Sequence, residues 1–182
     1  MSRLPIPADS PEFSDETRAA VRHLNVTRGK VPAPSGFLTY AGKAGALMSD
    51  LVEHLRYHTT LNDAETELAI CVAARSADSD YIWNSHAKLA IKAGVTEATL
   101  NIVDRRGALD GLSADDALII RFGRELLDDL VLSDATYEAA RRRYGEKGMM
   151  ELAATMGAYL MNATVLRTVG HQSPGRVLSK SL

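Results

Sequence analysis

The sequence predicts an all-α, single-domain fold, and three observations carry that reading. Apolar residues recur at three- and four-residue spacing in one segment after another. Ser, Thr or Asn precedes most of these segments, often with an acidic residue three positions later, which is the pattern of helix N-caps. No stretch shows the strict apolar–polar alternation, bounded by turn residues, that marks a strand.

Taken in order, residues 1–13 hold Pro5, Pro7 and Pro11, which forbid a regular helix and predict an extended arm. Such an arm is either a free tail or a strap across a neighbouring subunit. Ser14 caps a short amphipathic helix from Asp15 to about Asn25, closed by Gly29, and Val31 to Gly36 is a loop. One long helix is then expected from Phe37 to about His58, with Ala44, Leu47, Met48, Leu51, Val52 and Leu55 as its core stripe.

The stretch from Asn62 to Gly94 organises the rest and reads as two helices joined by a polar elbow. Asn62 and Glu65 form a capping-box pair, and Asp63 adds negative charge to the first turn. From Leu68 to Ala74 every residue is apolar, so this helix is predicted to be buried on most sides. Glu67 stands at the edge of that run and needs a partner. After Ser76-Ala77-Asp78 the second helix places Ser79, Ile82, Trp83, His86, Leu89, Ala90 and Ala93 on one face and ends at Gly94. If the two helices fold back on each other, Glu67 and His86 meet in the interior as an acid–base pair.

Downstream, Thr96 caps a helix from Glu97 to about Arg105, and Gly107 to Gly111 forms a turn. Ser113 with Asp116 starts a helix running to about Leu130. Ser133 caps Ala135 to Tyr144, which ends at Gly145, and Met149 to about Val169 is a mostly apolar last helix. Gln172 to Leu182 is a polar tail containing Pro and Gly. The expected layout is an arm and short helix over 1–36, a helical domain over 37–170 and a tail over 171–182.

Composition narrows the function. A net charge of −2 argues against a nucleic-acid binder, which would show a basic face. Six Tyr, three Phe and one Trp are too few for a base-stacking platform. With Cys71 as the single cysteine no internal disulfide forms, which fits a reducing, cytoplasmic setting. No apolar leader segment or membrane-length run is apparent. His54 and His58 are four apart without a third ligand, so no metal site is expected, and no signature of an organic cofactor is present.

With Glu67, Ser79, Ile82, the Tyr81-Ile82-Trp83-Asn84-Ser85-His86 run and the following A-x-K-A-G-V-T in hand, the chain resembles the carboxymuconolactone decarboxylase / alkylhydroperoxidase D-like family. Glu67 and His86 fall on that family's glutamate and histidine, while the two cysteine positions of its peroxidase branch fall on Ser79 and Ile82. The likeness is therefore to the cysteine-free branch, and it runs from about Phe37 to Val169. It implies the family's helical fold, homo-oligomers such as trimers or hexamers, and a small-molecule substrate. On the last helix the family's G-Y-Y-N-M pattern meets Tyr159, with Leu160 at the asparagine position.

The chemistry expected from these residues is cofactor-free decarboxylation of a carboxylated lactone or similar activated acid. Such a substrate carries its own electron sink. His86 is assigned as proton donor, Glu67 as its orienting partner, and Ser79, Trp83 and Tyr159 as pocket residues. Arg75, Arg121 and Arg124 are the candidates for holding a carboxylate, with Arg75 placed in the site. A peroxidase or oxidoreductase is the alternative, although Cys71 alone lacks a resolving thiol. A non-catalytic oligomer that binds a small molecule is the other. An accessible cavity at Glu67 and His86 would speak for an enzyme, and a sealed pair for a binding protein.

Overall fold

The structure is a computed structural model, describing residues 2–173, 175 and 176. Part of the predicted tail, Pro174 and residues 177–182, lies outside the described residues. Among them there are helices and no strand: α1 (Asp15–Arg28), α2 (Ala33–Leu38), a 3-10 turn (Thr39–Ala41), α3 (Lys43–Tyr57), α4 (Asp63–Ser76), α5 (Asp80–Ala93), α6 (Glu97–Arg105), α7 (Ala114–Leu127) and α8 (Asp134–Thr168).

The caps read from the sequence are present. Ser14, Thr96, Ser113 and Ser133 each accept a backbone N–H three residues on. Asn62 and Glu65 close the complete reciprocal box at the start of α4. Gly94 ends α5 in the left-handed conformation, with φ of 107°.

α4 is the axis of the fold. Every residue from Glu65 to Ala74 is buried. α5 folds back against it, α7 and α8 pack on other sides, and α6 and the end of α3 complete the surround. An apolar helix needs partners all round, and here they include Trp83, Ile119, Ile120, Phe122, Leu152 and Met156, all buried. The elbow between α4 and α5 turns at Asp78, which takes a positive φ of 50°. Arg176 bonds its carboxylate at 2.6 Å, and Arg167 bonds the neighbouring Ala77 carbonyl.

Between residues 31 and 58 the structure departs from expectation: α2 begins at Ala33, inside the expected loop over 31–36. The single helix over 37–58 is broken into α2, the 3-10 turn and α3, because Gly42 takes φ 56° and ψ −126°, outside any helical basin. α3 also buries a different face from the expected stripe. Gly45, Ser49, Val52 and Leu55 point inward, while Leu47 is 58% and Leu51 49% exposed. The two helices expected over 134–169 are present within α8, separated by a kink at Gly145 (φ 68°, ψ 177°), where the first was expected to end. Arg143, two residues before that glycine, spans Asp115 and the buried Glu65, each at 2.8 Å.

The N-terminal arm lies along its own chain. Arg3 N donates to Val169 O at 2.7 Å, Ser2 pairs with His171 at 2.6 Å, and Tyr40 donates to the Pro5 carbonyl at 3.0 Å.

Two glycines separate packing from propensity. A Cβ at Gly45 would collide with the Leu38 carbonyl, whereas one on the helical Gly157 of α8 would meet nothing. Gly45→Ala is expected to destabilise by ~1–3 kcal/mol through forced backbone displacement. Gly157→Ala should be neutral or stabilising by up to about 1 kcal/mol. Thermal unfolding of the two variants side by side checks this, and equal midpoints would contradict the packing at Gly45.

Candidate functional site

α4 and α5 bring Glu67 and His86 together as their periodicity predicts. His86 Nδ1 lies 2.7 Å from Glu67 Oε2 in a buried contact. A third residue completes the group: Arg56, in the last turn of α3, donates from Nε (3.2 Å) and Nη2 (2.9 Å) to Glu67 Oε1. Each carboxylate oxygen thus has its own cationic or N–H partner. Glu67 is 6% and His86 8% exposed.

This environment sets the charge states. Burial by itself would raise the Glu67 pKa, but the hydrogen bond and charge of His86 and the Arg56 guanidinium outweigh it and hold it below the usual carboxylate value. For His86, burial is the largest influence and lowers the pKa. The contact with Glu67 opposes this, Arg56 adds to it, and the net shift is downward. Burial also works against the Arg56 charge, yet Tyr159 and Glu67 leave its pKa raised overall. The resting state is therefore guanidinium, carboxylate and neutral imidazole. An ionised carboxylate only accepts, so Nδ1 carries the imidazole proton and Nε2 keeps its lone pair.

The group opens onto a cavity of about 430 Å³. Arg56, His86 and Tyr159 are in its wall, as are Ile82 and Leu89 of α5, Asn162 of α8, and Arg28, Lys30 and Tyr57 nearer the rim. Tyr159 meets His86 edge-on, with ring centroids 4.9 Å apart and planes at 82°. Burial pushes the Tyr159 hydroxyl pKa up, so it keeps its proton.

The other predicted residues lie elsewhere. Arg75 is not brought to this cavity: its Nε donates to the Asp104 carbonyl at 2.7 Å. Eight residues separate it from Glu67, which is about 12 Å along a helix. Arg124 is spent on the carbonyls of Gly107 (2.8 Å) and Ile102 (3.0 Å), and Arg121 is exposed. Trp83 is fully buried in the core and does not line the cavity. Ser79 lines a second crevice of about 160 Å³, with Asp78, Asp80 and His171. Cys71 is fully buried, and that burial, with Glu67 nearby, raises its thiol pKa well above normal.

Arg56 is the residue that sequence reasoning missed. A signal existed: Arg56 is in the last turn of α3 and Glu67 in the second turn of α4, on either side of one short connection. Asn162 of α8, also in the cavity wall, is a second residue absent from the expected set.

Residues 42–118, which include Arg56, Glu67 and His86, match the model of the carboxymuconolactone decarboxylase family. The match covers 77 of the 182 residues, the stretch that holds the candidate site. Two solved structures share the fold. One is a peroxidase-related protein with an alkylhydroperoxidase AhpD core from Ralstonia eutropha JMP134 (TM-score 0.73, 15% identity, covering 95% of this chain and 92% of that one). The other is a peroxidase-related protein from Silicibacter sp. TM1040 (TM-score 0.71, 15% identity, covering 96% and 92%). At that identity the likeness concerns the fold alone. No curated protein matches the chain. The all-α fold of this chain is thus the alkylhydroperoxidase D-like one, and among the described residues no helix is long and apolar enough to cross a membrane.

The three-residue group makes a titration prediction. Arg56 lowers the His86 pKa and Glu67 raises it, so Arg56→Met should move the imidazole titration up and Glu67→Gln should move it down. NMR titration of the His86 ring measures both, and shifts of the same sign would contradict the geometry. Stability follows from the same shift. The unfolded His86 takes up a proton near pH 6.5 while the folded one resists it. Wild-type stability should therefore fall as pH drops below about 6.5, and His86→Gln should flatten that fall.

Proposed function

We propose that this protein is a cofactor-independent enzyme that removes carbon dioxide from a small activated acid, such as a carboxylated lactone, with His86 as proton donor. The observation that carries the reading is that the buried Arg56–Glu67–His86 group faces an open cavity with further cations in its wall. A sealed pair would have favoured a binding protein without catalysis.

In this reading Glu67 orients the imidazole so that Nε2 points at the substrate, and Arg56 fixes Glu67 in turn. With Nε and Nη2 turned to Glu67, Nη1 is the edge of Arg56 left for a carboxylate. Lys30 offers a second charge at the rim. Entry of an anion raises the His86 pKa and loads Nε2 with a proton taken from solvent. The carboxylate leaves as carbon dioxide, and its bonding electron pair passes into the substrate's conjugated carbonyl. Nε2–H then protonates the carbon. Displacement of water by the bound substrate favours this, since the departing group loses charge as it leaves. Ile82 and Tyr159 shape the cavity, and Trp83 supports it from the core.

The oxidoreductase alternative has less support. Its thiol positions hold Ser79 and Ile82, and Cys71 is sealed in the core with a raised pKa. Assembly into a homo-oligomer belongs to the proposal too, and the exposed Leu47, Leu51 and Tyr57 of α3 offer an apolar surface for it.

The test is carbon dioxide release from a panel of carboxylated lactones and keto acids, run beside thiol-dependent loss of an organic hydroperoxide. Decarboxylation should drop by roughly a hundredfold or more in His86→Ala and stay near wild type in Cys71→Ser. Because His86 must gain a proton, kcat/KM should fall by about tenfold per pH unit on the alkaline side. A rate that instead rises with pH would make His86 a base, and hydroperoxide turnover lost in Cys71→Ser would favour the oxidoreductase.

A further inference from the structure

Two voids lie in line along the groove between α5 and α8. The cavity at His86 is walled by Ile82 and Ser85 of α5 and by Tyr159 and Asn162 of α8. The second crevice, of about 160 Å³, takes the next residues along the same two helices: Ser79 and Asp80 at the start of α5, Ala163 and Leu166 further along α8. Tyr81 is in both walls. Its ring meets that of His171, which also lines the crevice, edge-on with centroids 4.8 Å apart. His171 is braced in turn by Phe37, at 5.3 Å, and by Ser2. Five residues separate Tyr81 from His86, ~7.5 Å along a helix, so an acid held at Arg56 and His86 has room for about one ring before it reaches Tyr81. The charges of the crevice are already matched. Arg176 bonds Asp78 at 2.6 Å and lies 3.6 Å from Asp80, while Arg167 donates to the Ala77 carbonyl. Ser79 stands at the N-cap of α5, yet its hydroxyl makes no capping bond and is left to the crevice.

We propose that Tyr81 is the specificity-determining residue of this site. Its ring ends the cavity and confines the ligand to a compact ring acid, and the crevice behind it is a subsite for an uncharged polar tail once that ring is removed. The inference rests on the proposed function only in taking the cavity at Arg56 and His86 as the place where an acid binds, and not on the reaction run there. A side chain packed against a second ring cannot yield to an extra group on the ligand without losing that contact, so the barrier is steric and belongs to the ring, not to the hydroxyl. Behind it, Ser79 offers a hydroxyl, and Gln172 adds an exposed carboxamide to the same wall. Both suit a tail that hydrogen-bonds without charge. A carboxylate there would meet Asp78 and Asp80.

The experiment reads binding and needs no turnover. Benzoate is a compact ring acid, 4-(3-hydroxypropyl)benzoate adds an uncharged polar tail, and 4-(2-carboxyethyl)benzoate adds a charged one. Their Kd values are measured by ligand-observed NMR on the full chain for wild type, Tyr81→Ala and Tyr81→Phe, with thermal melts to establish folding. If Tyr81→Ala does not fold, Tyr81→Leu, which keeps an apolar contact for His171, takes its place. Wild type should bind benzoate about tenfold more tightly than the hydroxypropyl probe. Tyr81→Ala should close or invert that ratio, and Tyr81→Phe should keep it. Adding Ser79→Ala to Tyr81→Ala should take back about fivefold of the gain. The carboxyethyl probe should gain less than the hydroxypropyl one. Benzoate binding absent in wild type, equal wild-type affinity for benzoate and the hydroxypropyl probe, or no gain on shortening Tyr81 overturns the inference. A gain as large for the carboxyethyl probe overturns the tail chemistry assigned to the crevice. Carbon dioxide release that needs His86, beside binding blind to the tail in every variant, would remove this inference alone. The expected inversion beside a panel that yields no carbon dioxide would instead remove the decarboxylase reading and leave Tyr81 as the length limit.

Discussion

A carboxylate in the middle of a buried apolar helix is the constraint on which the rest depends. α4 can serve as the axis of the bundle because its side chains from Leu68 to Ala74 are apolar in every direction. Glu67 breaks that rule one residue earlier. Its charge is tolerable only because Arg56 engages one oxygen and His86 the other. Meeting both demands fixes the rotation of α4 relative to α3 on one side and α5 on the other. Three helices are thereby phased by one side chain, and the cavity lies where they meet.

The same burial converts a structural requirement into a chemical one. In water a histidine beside a glutamate would be drawn toward the protonated form. In this buried setting desolvation and the Arg56 charge prevail over the carboxylate, and the imidazole rests neutral with Nδ1 turned to Glu67. The group at rest has no net charge beyond the balanced Arg56–Glu67 pair. Sulfur has no part in this arrangement: Ile82 presents a branched hydrocarbon to the cavity, Ser79 turns to a separate crevice, and Cys71 is inside the core.

Around this centre the chain uses its ends and its one broken helix to close the remaining surface. Gly42 lets the backbone reverse between the 3-10 turn and α3, and Gly45 lets α3 pass against the Leu38 carbonyl. That path carries Arg56 to Glu67. The N-terminal arm and the end of α8 hold each other through Arg3, Ser2 and His171, whose ring packs against Phe37 and Tyr81.

Local chemistry was legible in the sequence. Caps are contacts between residues three apart, so Ser14, Asn62, Thr96, Ser113 and Ser133 declared their helices without any knowledge of the fold. The apolar run after Glu67 declared a central helix, and the shared face of α5 turned His86 toward it. Periodicity gives the direction of a side chain but not its neighbour. It could not say that Arg56 would complete the group, that Arg75 would be a turn and more away on Asp104, or that Trp83 would lie behind the cavity wall instead of in it. It also could not choose which stripe of α3 would be buried, because Leu47 and Leu51 satisfy the pattern as well as Gly45 and Ser49 satisfy the packing. The sequence by itself determined an all-α chain built on one buried helix, with Glu67 and His86 inside it. Only the tertiary structure decided which cation meets that carboxylate and where the cavity opens, because both depend on crossing helices distant in sequence.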